Sequence, residues 1–203
     1  MKHLKKGTLF IVSGPSGCGK GTILAEIMKN PGLYFSISAT TRKKRSGEED
    51  GVNYHFMTND TFHELIQNDG ILEYAEYCGN YYGTPKKPVE EHLNAGDDVI
   101  LEIEIIGAMK VLTKCPDAVS IFLLPPSLSE LEHRLRRRGT ESESVLQERV
   151  AQAAREIKQS NKYDYVVVND TLSQAIADVK AILRAESCKT RKCQTIIEEV
   201  LKK

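Results

Sequence analysis

The chain has 203 residues, with 28 Lys and Arg against 28 Asp and Glu, 40% hydrophobic residues and 28% charged ones. That makes one domain or two small ones, able to bury about 70% of the surface of its unfolded form without a disulfide or metal staple, and excludes the disordered and fibrous classes. Zero formal charge argues against generic nucleic-acid or other polyanion binding, which rests on a net positive field, so any phosphate recognition has to be local.

The first residues, MKHLKK, are basic, and the apolar run TLFIV that follows breaks at Gly14 and Pro15, short of the ~7–15 apolar residues of a secretion signal. No stretch approaches the ~20 residues that span a bilayer. Cys18, Cys78, Cys115, Cys188 and Cys193 are odd in number and lack the paired short spacings of a zinc site. These features predict a cytoplasmic protein with reduced thiols and no membrane contact.

Short β-branched and aromatic runs alternate with longer helix-period segments, the pattern of an α/β fold around a largely parallel sheet. Core strands are expected at 8–13, 34–38, 99–104, 119–124 and 165–168, and helices at 20–29, 106–113, 127–138, 142–159 and 172–185. VILEI, SIFLL and YVVV are nearly continuous apolar runs, as suits strands covered on both faces. Asp170 is expected to cap the helix after the last strand, with Thr171 close by. Residues 41–96 are too long for a loop; their tyrosines and turn glycines, with one helix near 58–67, predict a small antiparallel subdomain. The tail from 186 to 203 ends in a short helix, 195–201, read as a docking or frayed end.

Residues 14–22 read GPSGCGKGT, directly after a strand and opening a helix. A glycine-rich turn there aims several backbone N–H groups at one hollow at a helix N-terminus, which suits an anion of phosphate size. Lys20 is then expected to reach the β- and γ-phosphates of a nucleoside triphosphate. Where the strict pattern has Ser or Thr after the lysine stands Gly21, with Thr22 next; the Thr22 hydroxyl is expected to meet phosphate or Mg²⁺, directly or through water. Cys18, at the start of this helix, is expected to hold a stabilised thiolate.

Farther along, Arg42 and Arg45 stand three apart in TTRKKRSGE. Read alone, RKKR is a solvated basic face, a nuclear-localisation signal or a second anion clamp, whose planar guanidiniums suit bidentate phosphate contact. Glu102 and Glu104 alternate at the end of a predicted parallel strand, where ligands of open α/β sheets collect, and would hold Mg²⁺ through water or meet a base amine. Arg136 and Arg137 read as a solvated helix face.

Taken in order, GPSGCGKGT, SATTRKKRSGE, LEYAEYCGNYYGT, RRRGTE and VVVND resemble guanylate kinases over nearly the whole chain. The resemblance implies a P-loop nucleoside-triphosphate-hydrolase-like parallel sheet flanked by helices, with a small antiparallel GMP-binding insert and a helical lid. The division it implies is a core of 1–40 and 97–185, a lid at 134–149, a GMP-binding unit at 41–96 and an extension at 186–203. It implies transfer of the γ-phosphoryl group of ATP to GMP, with Mg²⁺ accompanying ATP. ATP is expected on Gly14, Pro15, Ser16, Gly17, Cys18, Gly19, Lys20, Gly21 and Thr22, with Asn169 at the adenine. GMP is expected on Ser38, Arg42, Arg45, Tyr54, Glu73, Tyr82, Thr84 and Glu104, and Thr22 and Glu102 are the candidates near Mg²⁺, through water. Lys20, Arg42, Arg134, Arg138 and Arg149 are the expected catalytic cations. The family usually has Asp at the position of Glu104 and often Gln at that of Ile106. The alternatives are a phosphopeptide-binding module that has lost catalysis, and a kinase of another small phosphate acceptor.

Overall fold

The computed structural model describes residues 6–137 and 142–202. A five-stranded sheet is built from β1 (Leu9–Ser13), β2 (Leu33–Phe35), β7 (Asp98–Glu102), β8 (Val119–Leu124) and β9 (Tyr165–Val168), in the order β2-β7-β1-β8-β9. Every pairing in it is parallel. Helices α1 (Lys20–Ile27), α4 (Ile105–Lys114), α5 (Leu128–Arg137), α6 (Glu143–Ile157) and α7 (Leu172–Ser187) connect these strands or follow them.

Alternate residues of the strands feed two cores. Phe10, Val12, Ile100, Ile121, Leu123 and Val167 pack with Ile23, Leu24 and Ile27 of α1 and Ala175 and Val179 of α7. Leu9, Ile11, Val99, Leu101 and Phe122 turn the other way, onto Ile105, Ala108 and Val111 of α4. Burial on both faces is why these strands read as unbroken apolar runs. Fully burying one such side chain stabilises by about 1.5–3 kcal/mol, so the sheet centre is the rigid platform for everything at its edges.

The sheet's second expected strand is shorter than the sequence implies. After β2 the chain leaves the core sheet, and β3 (Ala39–Thr40) joins a second sheet with β4 (His55–Phe56), β5 (Ile71–Tyr77) and β6 (Asn80–Pro85), ordered β4-β3-β6-β5. This is the small insert, antiparallel except for the β3–β4 pair. Cys78 and Gly79 connect β5 to β6 with φ of 50° and 70°, the left-handed pair that a two-residue hairpin requires. Helix α2 (Asn59–Gln67) is capped by Thr58, whose hydroxyl accepts from the Thr61 N–H, and buries Phe62 against Ala39 and Ile71.

Three further elements differ from the sequence reading. Helix α3 (Lys86–Asn94) was not foreseen; Pro88 sits in its first turn, where an N–H has no intrahelical acceptor to lose. Strand β7 stops at Glu102, because Glu104 is the N-cap of α4 and its carbonyl accepts from Ala108 N–H at 2.8 Å. Thr171, not Asp170, is the N-cap of α7, with no side-chain cap bond. Helix α8 (Gln194–Leu201) ends the chain with Val200 and Leu201 exposed. Among the described residues no helix is long and apolar enough to cross a membrane, and all five cysteines are unpaired.

Candidate active site

The glycine loop lies between the carboxyl end of β1 and α1, as its sequence demands. Gly19 is the N-cap of α1 at φ 97°, and a Cβ there would lie 2.3 Å from Asn169 Nδ2, so only glycine closes this turn. Asn169, 6% exposed, donates that amide to the Cys18 carbonyl at 2.8 Å. The amide expected at an adenine ring therefore also braces the loop from below. Lys20 folds back over the loop and donates to the carbonyls of Gly14 (2.6 Å) and Pro15 (3.2 Å).

Cys18 corrects an expectation. Its side chain is 0% exposed and belongs to the core beneath the loop. Burial pushes the thiol above its ordinary value, outweighing the attraction of the Lys20 ammonium. The neutral thiol, and not a stabilised thiolate, is the resting form, since desolvation penalises the charged one.

The central cavity, of about 500 Å³, runs from Gly14, Ser16 and Lys20 to Ser38 and Tyr54, with Glu102, Glu104 and Glu156 on its walls. Through Ser38, Tyr54, Glu102, Ile103 and Glu104 it adjoins a second cavity of about 460 Å³. Arg42, Arg45, Tyr54, Glu73, Tyr82, Glu102 and Glu104 all line that second cavity. Thr84 reaches Glu73, and its hydroxyl donates to Glu73 Oε1 at 2.8 Å. Every acceptor-site residue expected from the sequence is thus brought into one place.

Glu73 owes its position to a break in strand register between Ile71 and Tyr74. Such an irregularity re-aims side chains, and here Ile71, Leu72 and Glu73 are all buried in succession. At 8% exposure, burial raises the Glu73 carboxyl above its ordinary value, with the Thr84 hydrogen bond and Lys110 pulling the other way. Glu102 is raised for the same reason, eased by Lys20.

The arginine clamp has a partner the sequence reading did not assign. Glu48 accepts from both terminal nitrogens of Arg42, at 2.8 and 3.0 Å, and from the Arg45 backbone N–H at 2.8 Å. The Arg42 guanidinium lies over the rings of Tyr54 and Phe56, 5.4 and 5.7 Å from their centroids. The paired carboxylate drives Arg42 upward, and Arg42 holds Glu48 down at about 2. Lys43 and Lys44, the middle of RKKR, are exposed, so the basic run is half clamp and half solvated face.

On the far side of the loop, Gly17, Gly19, Thr22, Arg134, Arg137, Asn169, Asp170 and Leu172 line a third cleft of about 510 Å³. Arg134 is steadied by Glu130 at 2.8 Å and donates to the Asn169 carbonyl at 3.1 Å. Arg149 of α6 donates to the Ser16 hydroxyl, so α6 touches the loop. Arg136 is spent on Glu132 and Glu143 at the surface, as expected; Arg137, expected on the same solvated face, instead borders the cleft. Arg138 lies outside the described residues. Thr22 and Glu102 border different cavities.

Two more residues escaped the sequence reading. Glu48 carried a signal, an acid six residues after Arg42. Gly107 carried only a weak one, a glycine inside a helix with no turn to make.

A family model described as guanylate kinase matches residues 6–186. A guanylate kinase of Carboxydothermus hydrogenoformans is 53% identical over 93% of this chain and 93% of its own. One from Desulfitobacterium hafniense is 49% identical over 96% and 98%. The crystal structure of guanylate kinase from Anaplasma phagocytophilum superposes with a TM-score of 0.74 at 34% identity, covering 93% of this chain and 90% of that one. With the sheet order, the loop and the arginine-lined insert already in place, agreement over almost the full length has one meaning: the chain belongs to the guanylate kinase family.

Proposed function

We propose that the protein phosphorylates GMP with ATP, giving ADP and GDP, in the purine nucleotide metabolism of the cytoplasm. The observation that carries this reading is the buried Glu73 carboxylate, one oxygen held by Thr84 at 2.8 Å, in a cavity that Arg42, Arg45, Tyr54 and Tyr82 also line. Guanine presents N1–H and an exocyclic amine side by side, two donors that one carboxylate accepts together. Adenine offers an acceptor at N1, which would leave the buried charge unpaired, and polar mismatches of that kind discriminate by about 10⁴–10⁵. The Ser38 hydroxyl would complete recognition at O6 or N7, while the Thr84 hydroxyl, its proton given to Glu73, holds the carboxylate in place, with Glu104 at the rim.

In this reading Arg42, Arg45, Tyr54 and Tyr82 hold the GMP phosphate, and the backbone of Gly14, Pro15, Ser16, Gly17, Cys18, Gly19 and Gly21 cradles the ATP phosphates. An oxygen of the GMP phosphate attacks the γ-phosphorus as the bond to the β-bridging oxygen breaks and ADP leaves. A phosphate monoester is largely dianionic at neutral pH, with a second pKa near ~6, so no general base is required. Rate comes from alignment and from neutralising charge on the transferred group. Lys20, Arg42, Arg134 and Arg149, with Arg138, supply that neutralisation. Asn169 would meet the adenine with its free oxygen while its amide holds the loop. Residues 1–40 and 97–185 then form the core with a lid at 134–149, 41–96 the GMP unit and 186–203 an extension.

The acidic and hydroxyl groups fit an ion that arrives with the triphosphate better than a resident one. Among the described residues no group of three His, Cys, Asp or Glu side chains could hold a metal. Glu102, in the cavity with Lys20, would contribute an oxygen, directly or through water, to Mg²⁺ already bound by ATP, which keeps several of its waters, while Thr22, in the other cleft, would meet the ATP phosphates. Bound there, Mg²⁺ would neutralise developing phosphate charge.

A coupled assay with ATP against GMP, dGMP, IMP, AMP and UMP tests the proposal. GMP is expected to be turned over with the highest kcat/KM. Turnover of AMP equal to that of GMP would remove Glu73 as the reader, and turnover of none would favour a binding-only module.

A further inference from the structure

A carboxylate can read a base edge only if something fixes how deep it lies. On one side Glu73 is tied through Oε1 to Thr84 of β6 at 2.8 Å. On the other it rests on the first turn of α4, where a Cβ built on Gly107 would lie 2.7 Å from Glu73 Oε2, 3.1 Å from its Cδ and 3.5 Å from its Cγ. Gly107 is buried and helical and has no left-handed φ that would itself call for glycine. Glycine weakens a helix relative to alanine, and α4 carries this one in the turn that faces the carboxylate. The residue before it, Ile106, is 69% exposed, and both line the same cavity as Glu73.

We infer that Gly107 is a specificity-determining position: its missing side chain lets the Glu73 carboxylate seat fully against α4, where both of its oxygens are placed for the N1–H and 2-amino group of one purine base. The inference rests on the assignment of Glu73 as the guanine reader. The three atoms nearest to a methyl group at position 107 all belong to the flexible Glu73 side chain, so the helix keeps its course and the carboxylate yields. The displaced carboxylate loses most for a base with two donors and less for hypoxanthine, which lacks the 2-amino group.

The test is Gly107→Ala, assayed with GMP, IMP and ATP alongside the unmodified protein and Glu73→Gln. The KM for GMP is expected to rise at least about tenfold, while that for ATP stays within about twofold. The ratio of kcat/KM for GMP to that for IMP should fall at least about fivefold. In a Glu73→Gln background the same alanine should change the KM for GMP by less than about twofold, since the group it displaces no longer carries the charge. Equal losses for GMP and IMP, an unchanged KM for GMP, or full additivity with Glu73→Gln would each overturn the inference. So would a variant that fails to fold, because α4 packing would then be what needs the glycine. An unmodified protein without preference for GMP over AMP would instead refute the assignment of Glu73 itself.

Discussion

Two carboxylates, Glu73 in the second cavity and Glu48 on Arg42, are pushed in opposite directions. Glu73, raised by burial, binds its proton earlier than an ordinary glutamate as pH falls. Glu48, held at about 2 by Arg42, stays ionised, so the arginine clamp keeps its shape throughout. The KM for GMP should therefore rise on acidification from neutral pH before ordinary carboxylates titrate, and more steeply than the KM for ATP. Part of that rise belongs to the GMP phosphate, with its pKa near ~6; the part due to Glu73 is the part absent from Glu73→Gln. Profiles with the same slope in both proteins would contradict the assignment. The raised carboxyl also has a stability sign. Its contribution to folding is complete below the ordinary value of 4.5 and is lost as pH rises through the elevated one. Glu73→Gln should accordingly melt higher than the unmodified protein at neutral pH, with the gap closing towards pH 4, a case of stability given up for recognition. Cys18 illustrates what residue spacing alone does not reveal. Its place at a helix N-terminus implies a reactive thiolate, whereas burial in the core decides for the thiol. Alkylation followed by mass spectrometry should label the exposed Cys78 and Cys188 well before Cys18; faster labelling of Cys18 would sink this view.

Elements whose faces are both buried were readable from apolar runs, and four of the five core strands lie within about two residues of their expected bounds at each end. What was not legible depended on pairing across the chain. The register break that turns Glu73 inward is a property of β5 against β6, and the length of β7 is set by the α4 cap. Helix α3 carries Pro88 in its first turn, a tolerated place that a propensity scale penalises. The residues that line the two adjoining cavities were named through motif resemblance; Glu48 and Gly107 were not, because what places them there is contact with Arg42 and Glu73. The bond from Arg149 of α6 to Ser16 of the loop joins two elements that sequence separates by more than a hundred residues. Arg149→Ala should lower kcat by about 10²-fold or more with a smaller change in the KM for GMP. A kcat within about twofold of the unmodified value, measured at saturating ATP and GMP, would show that this helix contributes no charge to the transferred group.

For the whole molecule, the sheet order β2-β7-β1-β8-β9 brings the carboxyl ends of β1 and β7 side by side, which is where α/β sheets collect ligands. The phosphate loop follows β1, and Glu102 to Glu104 follow β7. The insert leaves the sheet just after β2 and returns its arginines and tyrosines over the same edge. The two hollows proposed to bind anions, one through main-chain amides and one through guanidiniums, thereby share walls at Ser38, Tyr54 and Glu102. That adjacency is the central claim, because phosphoryl transfer needs donor and acceptor in line and free of competing water. Its most direct test is titration with adenosine and guanosine joined 5′ to 5′ by five phosphates, a single molecule long enough to occupy both hollows. Linked ligands that fit two sites at once bind more tightly than either alone. The account predicts one molecule bound per chain, tighter than ATP or GMP, and competitive with both; competition with only one nucleotide, or two molecules bound per chain, would contradict it.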